Sequence, residues 1–313
     1  MSSVFPHALR LPVIAAPMFL VSGPELVIAA CKAGIGGAFP TPNCRTIEDL
    51  DRWMDQITSA LSPGDGPWIA NLITHSTNAR LPEDLAMVAR YKPPIVITAL
   101  GSPRPVMETV KAYGGQVFAD VVNMKLARKA AEAGVDGLAC ISAGAGGHTG
   151  HLSPFAFVSA VREFFDGTLV IGGGVADGAG VAGAIAAGAD MVYMGTRFLA
   201  TRESMAQDAY KQMVVDCDAD DLIVSPAVTG TDASWLKPSL RAAGLDPDAL
   251  GGAAQRDYSG GQNKRWKDIW AAGQGLGRID AVESTAEVVA RLEREYRTAA
   301  SRFNGLTARA AAA

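Results

Sequence analysis

Eight short runs rich in β-branched and small apolar residues recur along this chain, and helical patterns fill the intervals between them. The runs are Pro12–Ala16, Ile35–Phe39, Trp68–Leu72, Ile95–Ala99, Gln116–Val121, Gly137–Ile141, Leu169–Gly172 and Met191–Met194. Helices are expected near 24–33, 46–61, 82–91, 103–113, 124–133, 154–165 and 177–187. Strict alternation of this kind builds a parallel sheet covered by helices. Eight strands point to α/β architecture closed as a (β/α)8 TIM barrel. An open doubly wound sheet is the alternative, because strand order is not visible in the sequence. Ala33-Gly34-Ile35, Ala133-Gly134-Val135 and Ala187-Gly188-Ala189 echo one another, each placing a glycine where a helix should end.

After the eighth run the pattern changes. Residues 201–224 read as helical, 225–280 are rich in Pro, Gly, Trp and charge, and 282–303 form a last helix before a tail at 307–313 that should fray. The expected division is a barrel from 1–200 and 272–313, with 201–271 a small, mainly helical substrate or lid domain. Trp235, Trp266 and Trp270 could serve a homo-oligomeric interface, and the oligomeric state stays open.

Hydrophobic residues make up 49% of the 313 and charged ones only 19%, which fits a compact enzyme with a large core and not a disordered chain. A net charge of −4 without any Lys/Arg cluster excludes a nucleic-acid partner. Four scattered cysteines with no CxxC pair indicate neither a metal site nor a disulfide framework. No apolar stretch is long enough for a membrane span and no basic leader precedes one, so a cytoplasmic protein is expected.

Three glycine-rich stretches fall at strand ends: Ser142-Ala-Gly-Ala-Gly-Gly-His148-Thr-Gly150, Gly172-Gly-Gly-Val-Ala-Asp-Gly178, and Met194-Gly-Thr-Arg-Phe-Leu-Ala-Thr-Arg-Glu203. In a barrel the last two occupy the corner where phosphate is commonly held. Amides of Gly173, Gly174, Gly195 and Thr196 could donate to it, and Asp177 reads as a helix N-cap aiming that helix's positive end at the anion. Gly144-Ala-Gly146 starts like a dinucleotide fingerprint, but Thr149 stands where its third glycine belongs, and no P-loop occurs. His148 sits in the first stretch, suited to exchange a proton or face a developing anion. His151 reads as a surface turn residue, as do His7 and His75, although His75 lies near the mouth. Met18, Asn71 and Asp120 end strands one, three and five. A thioether can pack on a flat ring, and an amide can both donate and accept at a flavin or pyrimidine edge.

With these motifs the chain resembles the nitronate monooxygenase family, formerly called 2-nitropropane dioxygenases. It also resembles the wider flavin group that includes a quinone reductase and FMN-dependent enoyl-acyl-carrier-protein reductases. The segments that carry the likeness are Ala16-Pro-Met18, Trp68-Ile-Ala-Asn71, Ala145-Gly-Gly-His-Thr-Gly150, Gly173-Gly-Val-Ala-Asp-Gly178, Met194 to Glu203 and Ala272-Gly-Gln274. The resemblance implies FMN held by Met18, Asn71, Gly147, Gly173, Gly174, Gly195 and Thr196, with Gln274 reaching in from the later segment. It implies His148 beside the flavin as the acid–base or anion-orienting residue. Some relatives carry a lysine near the flavin after strand five, where this chain has Asp120. The implied activity is oxidation of alkyl nitronates with O2 to carbonyl compounds and nitrite. Two alternatives stay open: an NAD(P)H-dependent quinone or enoyl-thioester reductase, and a flavin-free barrel that binds phosphate or serves as a scaffold.

Overall fold

A computed structural model describes residues 9–254 and 263–311; His7 and the last two residues lie outside it. The first nine strands are β1 (Val13–Ala15), β2 (Gly36–Pro40), β3 (Trp68–Ile73), β4 (Ile95–Ala99), β5 (Gln116–Val121), β6 (Gly137–Ile141), β7 (Gly147–His148), β8 (Thr168–Gly172) and β9 (Met191–Met194). All but β7 close into one barrel in the order β1-β2-β3-β4-β5-β6-β8-β9. Every neighbouring pair is parallel, and the pairing of Ile14 with Tyr193 between β1 and β9 seals the ring. The eight expected strands are these eight, displaced by a residue or two at some ends.

Helices α1 (Pro24–Lys32), α2 (Ile47–Ala60), α3 (Leu81–Tyr91), α4 (Arg104–Ala112), α5 (Met124–Glu132), α6 (Pro154–Arg162) and α7 (Gly178–Ala186) form the outer layer. Local chemistry starts and stops them. Thr46, Asn123, Ser153 and Asp177 cap α2, α5, α6 and α7, each side chain accepting from an amide three residues on. The repeated Ala-Gly pairs end α1, α5 and α7, with Gly34, Gly134 and Gly188 in the left-handed region that lets the chain leave a helix.

Period-two alternation decides what fills the barrel. Ile69, Phe118 and Met191 point inward and belong to an apolar cluster with Ile14, Ile95, Ile97, Ala139 and Val170. The same alternation carries Asn71, Asp120 and Tyr193 inward two residues further along their strands, towards the C-terminal mouth. The fold thus lays a polar layer directly on an apolar plug.

Beyond the barrel come α8 (Thr196–Leu199), α9 (Asp208–Asp216), β10 (Leu222–Ser225), β11 (Ala233–Leu236), α10 (Lys237–Ala242), α11 (Asn263–Asp268) and α12 (Thr285–Ala311). Residues 201–224 are therefore not one helical stretch: α9 stops at Asp216 and the chain becomes a strand at Leu222. β10, β11 and β7 form a separate antiparallel sheet in which Ala233 pairs with His148 and Ser234 with Gly147. The last helix continues to Ala311, past the expected end at 303.

Of the three tryptophans of this segment one is buried and two are half-buried. Trp235 is fully buried, donates its indole N–H to the Ser225 carbonyl at 3.1 Å, and lies 4.6 Å from Trp266 between ring centroids. Trp270 stacks on Tyr210 at 5.0 Å. Val214, Cys217 and Leu236 pack in one cluster with Val21 and Leu199 of the barrel rim. No helix among the described residues is long and apolar enough to cross a membrane.

Candidate active site

The mouth of the barrel has a floor, a corner and a wall. On the floor, Asn71 Nδ2 donates to Asp120 Oδ2 at 3.3 Å. Asp120 Oδ1 and the Tyr193 hydroxyl are both sheltered from solvent and have no hydrogen-bond partner among the described residues. Burial pushes the Asp120 carboxyl up to about 7, and the Asn71 hydrogen bond only partly opposes this. The Tyr193 phenol is raised by its burial first and by the Asp120 charge second.

At the corner, a β-carbon on Gly195 would sit 3.5 Å from the Met18 sulfur, so strands β1 and β9 bring Met18 beside Gly195 and Thr196. The amides of Gly173, Gly195 and Thr196 make no hydrogen bond among the described residues and remain available to a ligand. Gly174 does not match that expectation. Its N–H donates to the Gly144 carbonyl at 3.0 Å, so it shapes the corner without supplying a free donor. Space beside its α-carbon is open, which admits a ligand to the backbone. The Thr196 hydroxyl accepts from the Gly273 amide at 2.9 Å and keeps its own proton for an acceptor.

Asp177 caps α7 as expected, yet the end of that helix is already satisfied. Gly180 N–H donates to Asp177 Oδ1 at 2.8 Å, and Gly178 N–H donates to Glu295 at 2.9 Å. Two carboxylates occupy the helix start, so its positive end does not serve the anion corner. Gln274 packs on the first glycine stretch, its amide donating to the Gly144 carbonyl at 2.9 Å and its side-chain oxygen lying against Gly144.

The wall carries His148. It stands on β7, half-buried, with its ring edge-on to Trp266 at 5.6 Å. Its backbone is held in the ladder to Ala233, so the histidine stretch is not a free loop. Gly147 lies beside the same Trp266 ring. His151 is exposed and pairs with Asp232 at 3.1 Å, and His75 engages Thr77 at 2.8 Å; both are turn residues, as their sequence context implied.

Two supports were not visible in the sequence. Asn43, from the segment after β2, holds the Met18 turn by accepting from Leu20 N–H at 2.8 Å and donating to the Met18 and Ser22 carbonyls at 3.1 and 2.7 Å. Leu20 has φ of 61°, a costly conformation for a branched residue, which that acceptor helps to fix. Asn43→Ala should lower stability by about 2–3 kcal/mol, since it leaves the part-buried Leu20 N–H and Ser22 carbonyl unmatched, while the Met18 carbonyl keeps the Val21 and Ser22 amides. Urea unfolding measures this, and an unchanged midpoint would refute it. The second support is Arg197, buried and ion-paired to Glu283, which also accepts from Arg291 at 2.8 Å. With Glu203 accepting from the Thr285 amide and hydroxyl at 2.9 Å, this half of the Gly-Thr-Arg-Phe stretch clamps the start of α12.

A family model described as nitronate monooxygenase matches residues 75–295, more than half of the chain. The chain belongs to the nitronate monooxygenase family. Like the other members it is a flavin-dependent oxidoreductase. A nitronate monooxygenase of Paraburkholderia phytofirmans is 28% identical, with 91% of this chain and 92% of that one covered. A (3aS,4S,5R,7aS)-5-hydroxy-7a-methyl-1-oxo-octahydro-1H-indene-4-carboxyl-CoA dehydrogenase of Rhodococcus jostii is 31% identical over 73% of this chain and 63% of its own. Among solved structures, nitroalkane oxidase from Streptomyces ansochromogenes superposes with a TM-score of 0.81 at 23% identity, covering 96% of this chain and 100% of that one. FabK from Thermotoga maritima gives 0.78 at 24%, covering 95% and 96%. Both likenesses are to the barrel fold.

The site of this family member fits a flavin on its own chemistry. Unmatched buried polar atoms on the floor call for a partly polar ring edge, since leaving them unpaired costs about 1–3 kcal/mol each. Unused amides beside open space at the corner suit a phosphate.

Proposed function

We propose that this protein holds FMN across the barrel mouth and oxidises an alkyl nitronate with O2 to a carbonyl compound and nitrite. The observation that carries this reading is the position of His148, fixed by a backbone ladder on the rim that also bears the free amides of Gly173, Gly195 and Thr196. FMN, when bound, supplies the electron-accepting ring.

The remaining chemistry belongs to the chain. Gly173, Gly195 and Thr196 bind the phosphate, with Gly174, Gly147 and Gln274 shaping the corner. Met18 packs on the ring and Asn71 meets its polar edge. His148 hydrogen-bonds the nitronate oxygens, localising their charge and orienting the substrate carbon. Trp266 and Trp235 make that side of the site dry, which strengthens the histidine's hold on an anion. The segment 201–271 acts as the substrate wall, contributed to the barrel of 1–200 and 272–313 through β11 and the tryptophans.

Mixing the flavin-loaded protein with a nitronate without oxygen should bleach the flavin, and admitting air should restore it with release of nitrite. Bleaching by NADH or NADPH and not by nitronate would replace this reading with a quinone or enoyl-thioester reductase. A protein that takes up no FMN on reconstitution would leave the flavin-free phosphate-binding barrel.

A further inference from the structure

Among the described residues Asp120 is the carboxylate of the barrel floor, and burial and Asn71, with no cation, are what act on it. Asn71 of β3 donates to one oxygen, while the groups acting on the other face are apolar residues of the plug and Tyr193 of β9. Cys140 of β6, buried with its thiol pushed up to about 12, feels the Asp120 charge from outside the strand ring. His148 stands above them on the mouth wall. Asp120 Oδ1 and the Tyr193 hydroxyl are not bonded to each other, and neither has another partner among the described residues. An acceptor and a donor thus lie unused in the same polar layer, near enough for the Asp120 charge to act on the phenol.

We propose that Asp120, assisted by Tyr193, is a proton-holding group beneath the flavin that, at neutral and mildly alkaline pH, takes up one proton from solvent when the ring is reduced and returns it when the ring is reoxidised. This rests on the flavin reading above. When two electrons and one proton enter the ring, the added electron density raises the cost of a carboxylate directly below. Asp120 answers by binding a second proton from water, which keeps the buried layer neutral and gives Asp120 Oδ1 a hydrogen to donate. The neutral acid then supplies through a proton what a lysine at this place would supply through fixed charge. Burial already holds the carboxyl near half-protonation at neutral pH, so the uptake needs only a modest further push.

The test is the midpoint potential of the FMN-loaded protein, measured by dye equilibration from pH 6 to 9, for the wild type, Asp120→Asn and Tyr193→Phe. Below about pH 6 the acid is protonated in both redox states, so wild type and Asp120→Asn should have the same slope. Above about pH 7 the wild type should fall more steeply, by about 30 mV per pH unit, the effect of one extra proton on a two-electron couple. Asp120→Asn should lose this extra slope, and its visible spectrum should no longer shift with pH near neutrality. Tyr193→Phe should move the onset of the extra slope. A flavin-loaded Asp120→Asn with the wild-type slope above pH 7 overturns this proposal alone. Wild-type protein that binds no FMN overturns the cofactor reading, and this proposal with it.

Discussion

His148→Ala should slow turnover by about two to four orders of magnitude while the protein keeps its flavin colour. The separation follows from how the residue is mounted. The ladder of β7 to β11 uses backbone groups of Gly147, His148, Ala233 and Ser234, so it survives loss of the imidazole. The corner amides follow β8 and β9 and do not depend on the imidazole either. What disappears is the donor proposed to meet the nitronate charge, together with the imidazole's edge contact to Trp266. Steady-state rates and an FMN binding titration on the same preparation measure both halves. Full activity with every nitronate tried would remove His148 from the chemistry. Loss of FMN along with activity would mean that it supports the cofactor.

Gly146→Val should have the opposite profile, lowering FMN affinity at least about a hundredfold and activity only as a consequence. A β-carbon at Gly146 would lie 2.6 Å from the Gly273 nitrogen and 2.8 Å from the Ala272 carbonyl carbon, and both are backbone atoms that cannot rotate away. Relief requires the 272–274 strip to retreat. That movement breaks the Gly273–Thr196 and Gln274–Gly144 hydrogen bonds together and opens the phosphate corner. A cost of about 3 kcal/mol, ordinary for such overpacking, is a hundredfold in a binding constant. Fluorescence titration of the apoprotein with FMN reads it, and unchanged affinity would show that the strip does not shape the corner.

The barrel was legible because its strands are apolar runs set between helices that start at caps or stop at glycines, and that local grammar survives in one dimension. The Ala33-Gly34, Ala133-Gly134 and Ala187-Gly188 pairs are the plainest instance, since the same residue ends the helix in sequence and in space. β7 could not be read. It has only two residues, Gly147 and His148, and becomes a strand solely because Ser234 and Ala233 arrive opposite them. β10 follows the acidic turn Asp218–Asp221 and shows no alternation of buried and exposed positions, so its sequence continues the apparent helix before it.

At the site, residue types were visible but their partners were not. Gly174 looked like a free donor until its amide met the Gly144 carbonyl, and Asp177 looked like half of an anion site until Glu295 arrived from α12. Asp120 stood out as a carboxylate at a strand end. That Tyr193 is its neighbour follows only from closure of the ring, which brings β9 round to face β5. Trp235 could not be told from Trp266 and Trp270, because a sequence shows aromatic residues without what covers them, and of the three only Trp235 is fully buried.

The pairing of His148 with Ala233 also sets an order of assembly. The ring closes once β9 meets β1 at residues 191–194, whereas the histidine is not anchored until a strand some forty residues further on is in place. In a chain made from its N-terminus all eight strands of the cylinder are therefore present before the partner that anchors His148, although ring closure itself joins residues further apart in sequence. A chain ending before residue 233 would retain the cylinder's strands and carry its histidine on an untethered loop. Substitutions at Ala233 or Ser234 thus act on the mounting of His148 and not on the strands that close the ring.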